Sequence, residues 1–319
     1  MMRYRIFLLT ALILVCGMVI FGCTRQNIDE DVYIAIITKS TNSDFWHSVE
    51  RGVNAAAVEY NINVTFDGPE SEEDFIVQNA MITSAVARGA DAIVLSAIDY
   101  NLTRDAVDAA AAAGVKVIMI DSGVDSERVS SFVGTDNTEA GRLAGEAAVK
   151  AVGERAVVGI VNSGKDTANV SEREKSFRKF IEDNGGVIAA SVVVESKTES
   201  ARDRVIKMLE EHPEINVIVG FNELTTLDVG EAVRELGLAD KVAAIGFDSN
   251  IVSVGMLETG EMDALIVQNP FAIGYLGVQT AVRLLSRKNV SEYEFTDITV
   301  VTKENMFERD IQRILFRYR

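Results

Sequence analysis

The sequence predicts an α/β protein of two similar, doubly wound parallel-sheet lobes. Three observations carry the prediction. Between Asp31 and Asn305, short apolar runs of strand length alternate with amphipathic stretches of helical period. That alternation is the pattern of a parallel sheet with helices on both faces. The strand runs are too many for one comfortable sheet, and 319 residues fit two domains of ordinary size. No low-complexity linker separates the two series, so the chain is expected to cross between lobes inside ordered structure.

The first series opens with a strand over Tyr33–Thr38 and a helix over Asp44–Tyr60. Strand Ile62–Phe66, helix Glu72–Arg88 and strand Ile93–Ser96 follow. An alanine-rich helix, Leu102–Ala113, stops at Gly114, which suits a C-cap. Strands Val115–Ile120 and Ser131–Gly134 come next, and Thr135 to Glu139 carries the capping residues of a helix start. The second series runs strand Val157–Asn162, helix Ser171–Asn184, strand Val187–Glu195, helix Ala201–Glu211, strand Val217–Gly220 and helix Thr225–Leu236. It ends with strand Val242–Gly246, helix Ile251–Thr259, strand Ala264–Gln268, helix Phe271–Ser286 and strand Ile298–Thr302.

Ahead of the lobes lies a targeting segment. Arg3 and Arg5 precede an uncharged, mostly apolar run from Ile6 to Phe21, and Gly22-Cys23 closes it. The pattern resembles a bacterial lipoprotein signal, with Cys23 as the lipidated first residue after cleavage of residues 1–22. A retained membrane anchor is the alternative, although the run is short for a spanning helix. Either way the lobes are expected on the extracytoplasmic face of the cell membrane. Cys16 and Cys23 are the only cysteines, so the lobes hold no disulfide and no cysteine metal cluster. A net charge of −17 argues against phosphate neutralisation and hence against nucleic-acid binding.

Candidate chemistry gathers at strand ends, where open α/β sheets bind ligands. The opening loop, Lys39 to Trp46, carries Lys39, Asn42, Phe45 and the single tryptophan, Trp46. Asp121-Ser122, Asn222-Glu223, Asp248-Ser249 and Gln268-Asn269 each follow a strand run, and Arg173 falls early on a helix. Carboxylates accept from adjacent hydroxyls, arginine donates, amides do both, and an aromatic face covers an apolar ring face. That is the chemistry of a polyol or sugar site. Taken singly, each Asp, Asn or Ser is as easily a helix cap or turn former, and the aromatics are as easily core. Repetition at successive strand ends points to a pocket.

These residues carry a resemblance. The opening loop with Phe45-Trp46, the run Val117 to Asp121, Gly246-Phe247-Asp248-Ser249, and Asp263 to Pro270 stand in order. Over about residues 31–303 the chain resembles the periplasmic sugar-binding proteins of the ribose- and galactose-binding type, relatives of the effector-binding part of lac-repressor-type regulators. The resemblance implies the type I periplasmic binding fold: two lobes joined by a three-crossing hinge and closing on one sugar. One lobe would hold 31–135 with 269–298, the other 136–268 with 299–319. It assigns ligand binding to Phe45, Trp46, Asp121, Arg173 (four residues before Phe177), Asn222, Asp248 and Gln268. Lys39 and Ser122 are added as neighbours of that set, Lys39 as a group that could pair with a carboxylate at the cleft rim. The chain departs from the ribose-binding pattern at Ser122, where arginine is common, at Ser43-Asp44, and at Ser196, where an aromatic is expected.

The implied function is capture of a sugar for an ABC transporter permease, by a monomer held to the membrane through its lipid and needing no cofactor or metal. Presentation of the closed form to a membrane sensor kinase or chemoreceptor is the alternative. A targeting segment stands where a lac-repressor-type regulator would carry a helix-turn-helix, and the charge is acidic, so a regulator is not expected. The two histidines, His47 and His212, have no neighbours that would build a triad or a metal site, and Gly141 and Gly145 suit helix packing rather than a phosphate loop. The expectation is therefore a binder, not an enzyme. In the tail, Met306, Phe307, Ile311, Ile314 and Leu315 have helical spacing, read as a helix docked on a lobe or, alternatively, a membrane-surface or partner contact.

Overall fold

The computed structural model describes residues 32–316, apart from 154, 164–166 and 195–199. Two six-stranded sheets form, in the orders β11-β5-β4-β3-β1-β2 and β12-β10-β9-β8-β6-β7. The first contains β1 (Tyr33–Ile37), β2 (Asn63–Asp67), β3 (Ala92–Leu95), β4 (Lys116–Ile120), β5 (Ser131–Thr135) and β11 (Tyr293–Thr296). The second contains β6 (Val157–Asn162), β7 (Val187–Val193), β8 (Val217–Gly220), β9 (Ala243–Phe247), β10 (Ala264–Val267) and β12 (Thr299–Thr302). Pairing is parallel throughout except between β10 and β12. The central strands β3, β8, β9 and β10 are buried along their whole length. That is why they read as unbroken apolar runs rather than alternating ones.

The helices are α1 (Asp44–Tyr60), α2 (Phe75–Ala87), α3 (Arg104–Ala112), α4 (Asn137–Val152), α5 (Ala168–Asp183), α6 (Ala201–Glu211), α7 (Glu223–Leu236), α8 (Ile251–Thr259), α9 (Pro270–Leu285) and α10 (Arg309–Phe316). Helices α1 and α9 cover one face of the first sheet in a shared apolar cluster, while α4 and α5 do the same for the second. The chain therefore passes between lobes three times: from β5 to α4, from β10 to α9, and from β11 to β12. Two helix pairs approach so closely that only glycine fits. A Cβ on Gly52 of α1 would lie 2.0 Å from the Phe271 carbonyl oxygen of α9, and one on Gly141 of α4 would lie 2.2 Å from that of Arg173 in α5. Gly141 thus sets how deeply the helix bearing Arg173 sits against the second lobe.

Most expected elements form, with ends displaced by a few residues. Helix α2 starts at Phe75 rather than Glu72, because Asp74 caps it through the Val77 N–H. Helix α5 starts earlier than expected, at Ala168. Strand β11 has no counterpart in the sequence expectation. It is four residues long, Tyr293 and Phe295 are exposed, and only its pairing with Ser131–Thr135 makes it a strand. The tail helix α10 docks on the second lobe, with Leu315 in that lobe's apolar cluster and Ile311 and Ile314 packed against it. Among the described residues no helix is long and apolar enough to cross a membrane. The apolar run Ile6 to Phe21, Cys23 and Ser196 lie outside the described residues.

Candidate functional site

The carboxyl ends of both sheets face one gap, and each lobe places an aspartate there in the left-handed conformation. Asp121, just past β4, has φ 57°, and Asp248, just past β9, has φ 68°. Non-glycine residues seldom adopt such angles, and aspartate tolerates them better than most. Strain of this kind persists where surrounding structure over-determines it, typically at a ligand site. The loop after β1 is held from beneath by Gln78, which is fully buried. Its Nε2 donates to the carbonyls of Thr38 and Ser96 at 2.9 Å each, and its Oε1 accepts from the Ile98 N–H at 2.9 Å.

On the first lobe, the Lys39 ammonium pairs with Asp121 Oδ2 at 3.0 Å, and the Ser96 hydroxyl donates to the same oxygen at 2.9 Å. Phe45 and Trp46 meet edge to face with ring centroids 4.9 Å apart. Trp46 is 1% exposed, and its Nε1–H donates to Glu72 at 2.7 Å. On the second lobe, Arg173 is 1% exposed and donates three ways: to Asn137 Oδ1 (2.9 Å), to the Phe221 carbonyl (2.9 Å) and to Gln268 Oε1 (2.8 Å). Its guanidinium lies 4.7 Å from the Phe247 ring centre. Gln268, at the hinge, donates from Nε2 to Asp248 at 2.7 Å and accepts a second bond from Thr135 at 2.6 Å. Asn222 caps α7 in a reciprocal capping box with Thr225 and also reaches Ser163.

Together these residues enclose a cavity of about 370 Å³, within the range of small-molecule sites. Eight of the nine residues singled out from sequence line it: Lys39, Phe45, Trp46, Asp121, Arg173, Asn222, Asp248 and Gln268. Ser122 is the exception. It is fully buried, is absent from the cavity wall, and its Oγ has no hydrogen-bond partner. The left-handed turn at Asp121 sends the chain back under Ala97, whose N–H donates to the Ser122 carbonyl. Lys39 is not at a rim but 5% exposed inside the cleft. Asn169 and Glu72, which sequence reasoning missed, also line the cavity, as does Glu223, which it named only within the Asn222-Glu223 cluster. Asn169 of the second lobe donates to Asp121 Oδ1 of the first at 3.0 Å. Nothing in the sequence separates Asn169 and Glu72 from ordinary helix-start and loop residues. Two larger concavities, of about 710 and 560 Å³, flank the hinge, but only the smaller one gathers Trp46, Arg173 and both left-handed aspartates.

The two aspartates are electrostatically unlike. Burial works to raise the Asp121 carboxyl, but the charges of Lys39 and Arg173 and the bonds from Lys39 and Ser96 outweigh it and hold the group below the usual carboxylate range. Burial dominates at Asp248. Arg173 and Gln268 oppose it, Glu223 and Asp121 add to it, and the carboxyl is pushed up to about 7. An unfolded aspartate ionises near pH 4. Between about 4 and about 7 the folded protein thus holds a proton at Asp248 that the unfolded chain has released, and this group's contribution to stability falls as pH rises through that window. Asp121 acts in the opposite sense: its contribution is present above the ordinary range and is lost as pH falls through its lowered folded value. Urea unfolding of the wild type and Asp248→Asn, followed from pH 4.5 to 8, is expected to show the wild type losing stability relative to the variant. Parallel curves would remove the assignment.

Two doubly wound lobes with a polar, aromatic-lined cleft at their hinge define a two-lobed binding protein. The chain belongs to the periplasmic binding protein family, whose domain matches residues 34–289. It is 28% identical over 261 residues to the D-ribose/D-allose-binding protein of Pseudomonas aeruginosa, covering 79% of this chain and 82% of that one. A carbohydrate transporter solute binding protein from Agrobacterium radiobacter, solved in complex with D-arabinose, superposes with a TM-score of 0.86 at 30% identity, covering 90% of this chain and 100% of that one. An ABC transporter solute binding protein from Agrobacterium vitis with bound D-fucose gives 0.83 at 30% identity, covering 89% and 100%.

Proposed function

We propose that this protein captures a sugar or polyol between its lobes and delivers it to an ABC transporter. The observation that carries the reading is the convergence of Trp46, Phe45, Asp121, Arg173, Asn222, Asp248 and Gln268 on one cavity. In this reading Trp46 and Phe45 cover the apolar faces of the ring. Asp121 and Asp248 accept hydroxyl protons, Arg173 donates, and Asn222 and Gln268 bridge. Lys39 acts through Asp121, keeping it ionised and aimed, and the shared Gln268–Arg173–Asp248 network links ligand contacts to the hinge. The relatives named above, which carry sugars in their names or their structures, support the class of ligand. The lobes would work outside the cytoplasm as a monomer tethered through a lipid on Cys23.

Residues 24–319 screened by thermal shift against pentoses, hexoses, polyols and nucleosides test the reading. A ligand at about 100 times its Kd adds about 2.7 kcal/mol of stability. A clear rise with a sugar or polyol is expected. No rise with any of them, or a rise with nucleosides alone, would overturn the sugar assignment.

A further inference from the structure

Glu223 sits where three helix N-termini meet. It is the first residue of α7, in the second lobe. Its Oε1 accepts from the Asn250 side chain at 2.8 Å, and Asn250 is the N-cap of α8. Its Oε2 accepts from the backbone N–H of Phe45 at 3.4 Å, in the first turn of α1 of the first lobe. The first N–H groups of a helix have no partner within it, and the helix dipole places partial positive charge at that end. In α1, Ser43 caps the N–H of Trp46 and leaves that of Phe45 free. Closing the cleft brings the positive ends of α1 and α7 towards each other, which is unfavourable unless an anion stands between them.

We propose that Glu223 is a positioning residue for ligand capture: its carboxylate, braced by Asn250, bridges the N-termini of α7 and α1 across the cleft and selects the closed arrangement of the lobes. A role confined to α7 would account for an acid at its first position but not for the bond to Phe45. The bond runs from a side chain of one lobe to the backbone of the other, so closure makes it and opening breaks it. The two partners of this carboxylate, the Phe45 N–H and the Asn250 side chain, are protein groups. The latch therefore favours closure of the empty protein as well as the loaded one, and it slows release of whatever the cleft holds. The inference rests on the cleft being the sugar site only in that last respect.

The test uses residues 24–319 with Ile76→Cys and Ile251→Cys, two exposed positions on different lobes, spin-labelled for interlobe distance measurement. In the absence of sugar, Glu223→Ala is expected to lower the ratio of closed to open molecules about three- to tenfold, the range of a helix-end charge or one ordinary net hydrogen bond. Glu223→Gln, which keeps an acceptor and loses the charge, should fall between. Loss of the fold in the alanine variant leaves the glutamine variant to decide. A closed fraction unchanged in whichever folded variant is measured would overturn the proposal, and so would a fall accompanied by equal loss in both lobes' thermal stability. D-Arabinose and D-fucose are then added as probes. If neither closes any form while the ligand-free shift is present, the latch stands and the choice of sugar is at fault.

Discussion

Arg173→Met should cost about 3–5 kcal/mol of stability, the range for breaking a buried charged network by removing one member. The guanidinium is buried and satisfies three acceptors, Asn137 Oδ1, the Phe221 carbonyl and Gln268 Oε1. Methionine fills the volume but leaves those acceptors without their donor and strips positive charge from beside Asp121 and Asp248. Burial itself acts to lower the Arg173 guanidinium, and the charges of Asp248, Asp121 and Glu172 oppose that. The arginine and the acids therefore stand or fall together. Lysine would restore charge but not the planar fork, so Arg173→Lys should recover part of the loss. Urea unfolding of the ligand-free protein measures both. A cost below about 1 kcal/mol for the methionine variant would contradict this network.

Trp46→Ala carries the second large effect, and it has two components. As a stacking platform, Trp46 should contribute about 1–3 kcal/mol to sugar affinity. As a side chain 1% exposed in the apolar cluster of the first lobe, it should contribute about 3–5 kcal/mol to stability. Trp46→Phe separates them. It keeps much of the apolar body but removes the indole N–H that Glu72 accepts, so the fold should survive while affinity drops. Calorimetric titration with the sugar that shifts melting gives the binding component. Affinity unchanged in Trp46→Ala would remove Trp46 from the site.

The contrast between the readings of Trp46 shows where sequence reasoning reached and where it stopped. An aromatic pair at a helix start is core or ligand platform by sequence alone, and the folded chain makes it both: Trp46 belongs to the first lobe's cluster and to the cavity wall. Lys39 and Ser122 diverged from expectation for geometric reasons. The ammonium followed its carboxylate inward, and the left-handed Asp121 turned its neighbour away from the cleft. Asn169 was invisible because its meaning depends on an aspartate 48 residues away in the other lobe.

By itself the sequence determined the α/β class, the alternation of strands and helices, and the strand ends at which chemistry collects. Period and polarity are local properties, written within some ten residues at a time. Tertiary structure alone decided that Tyr293–Thr296 is a strand, that Asp121 and Asp248 titrate on opposite sides of the ordinary aspartate value, and that Glu223 reaches a helix of the other lobe. Each of these depends on burial, or on a partner far away in the chain. No window of sequence contains the desolvation of a carboxyl or the backbone N–H that faces it once two lobes have met.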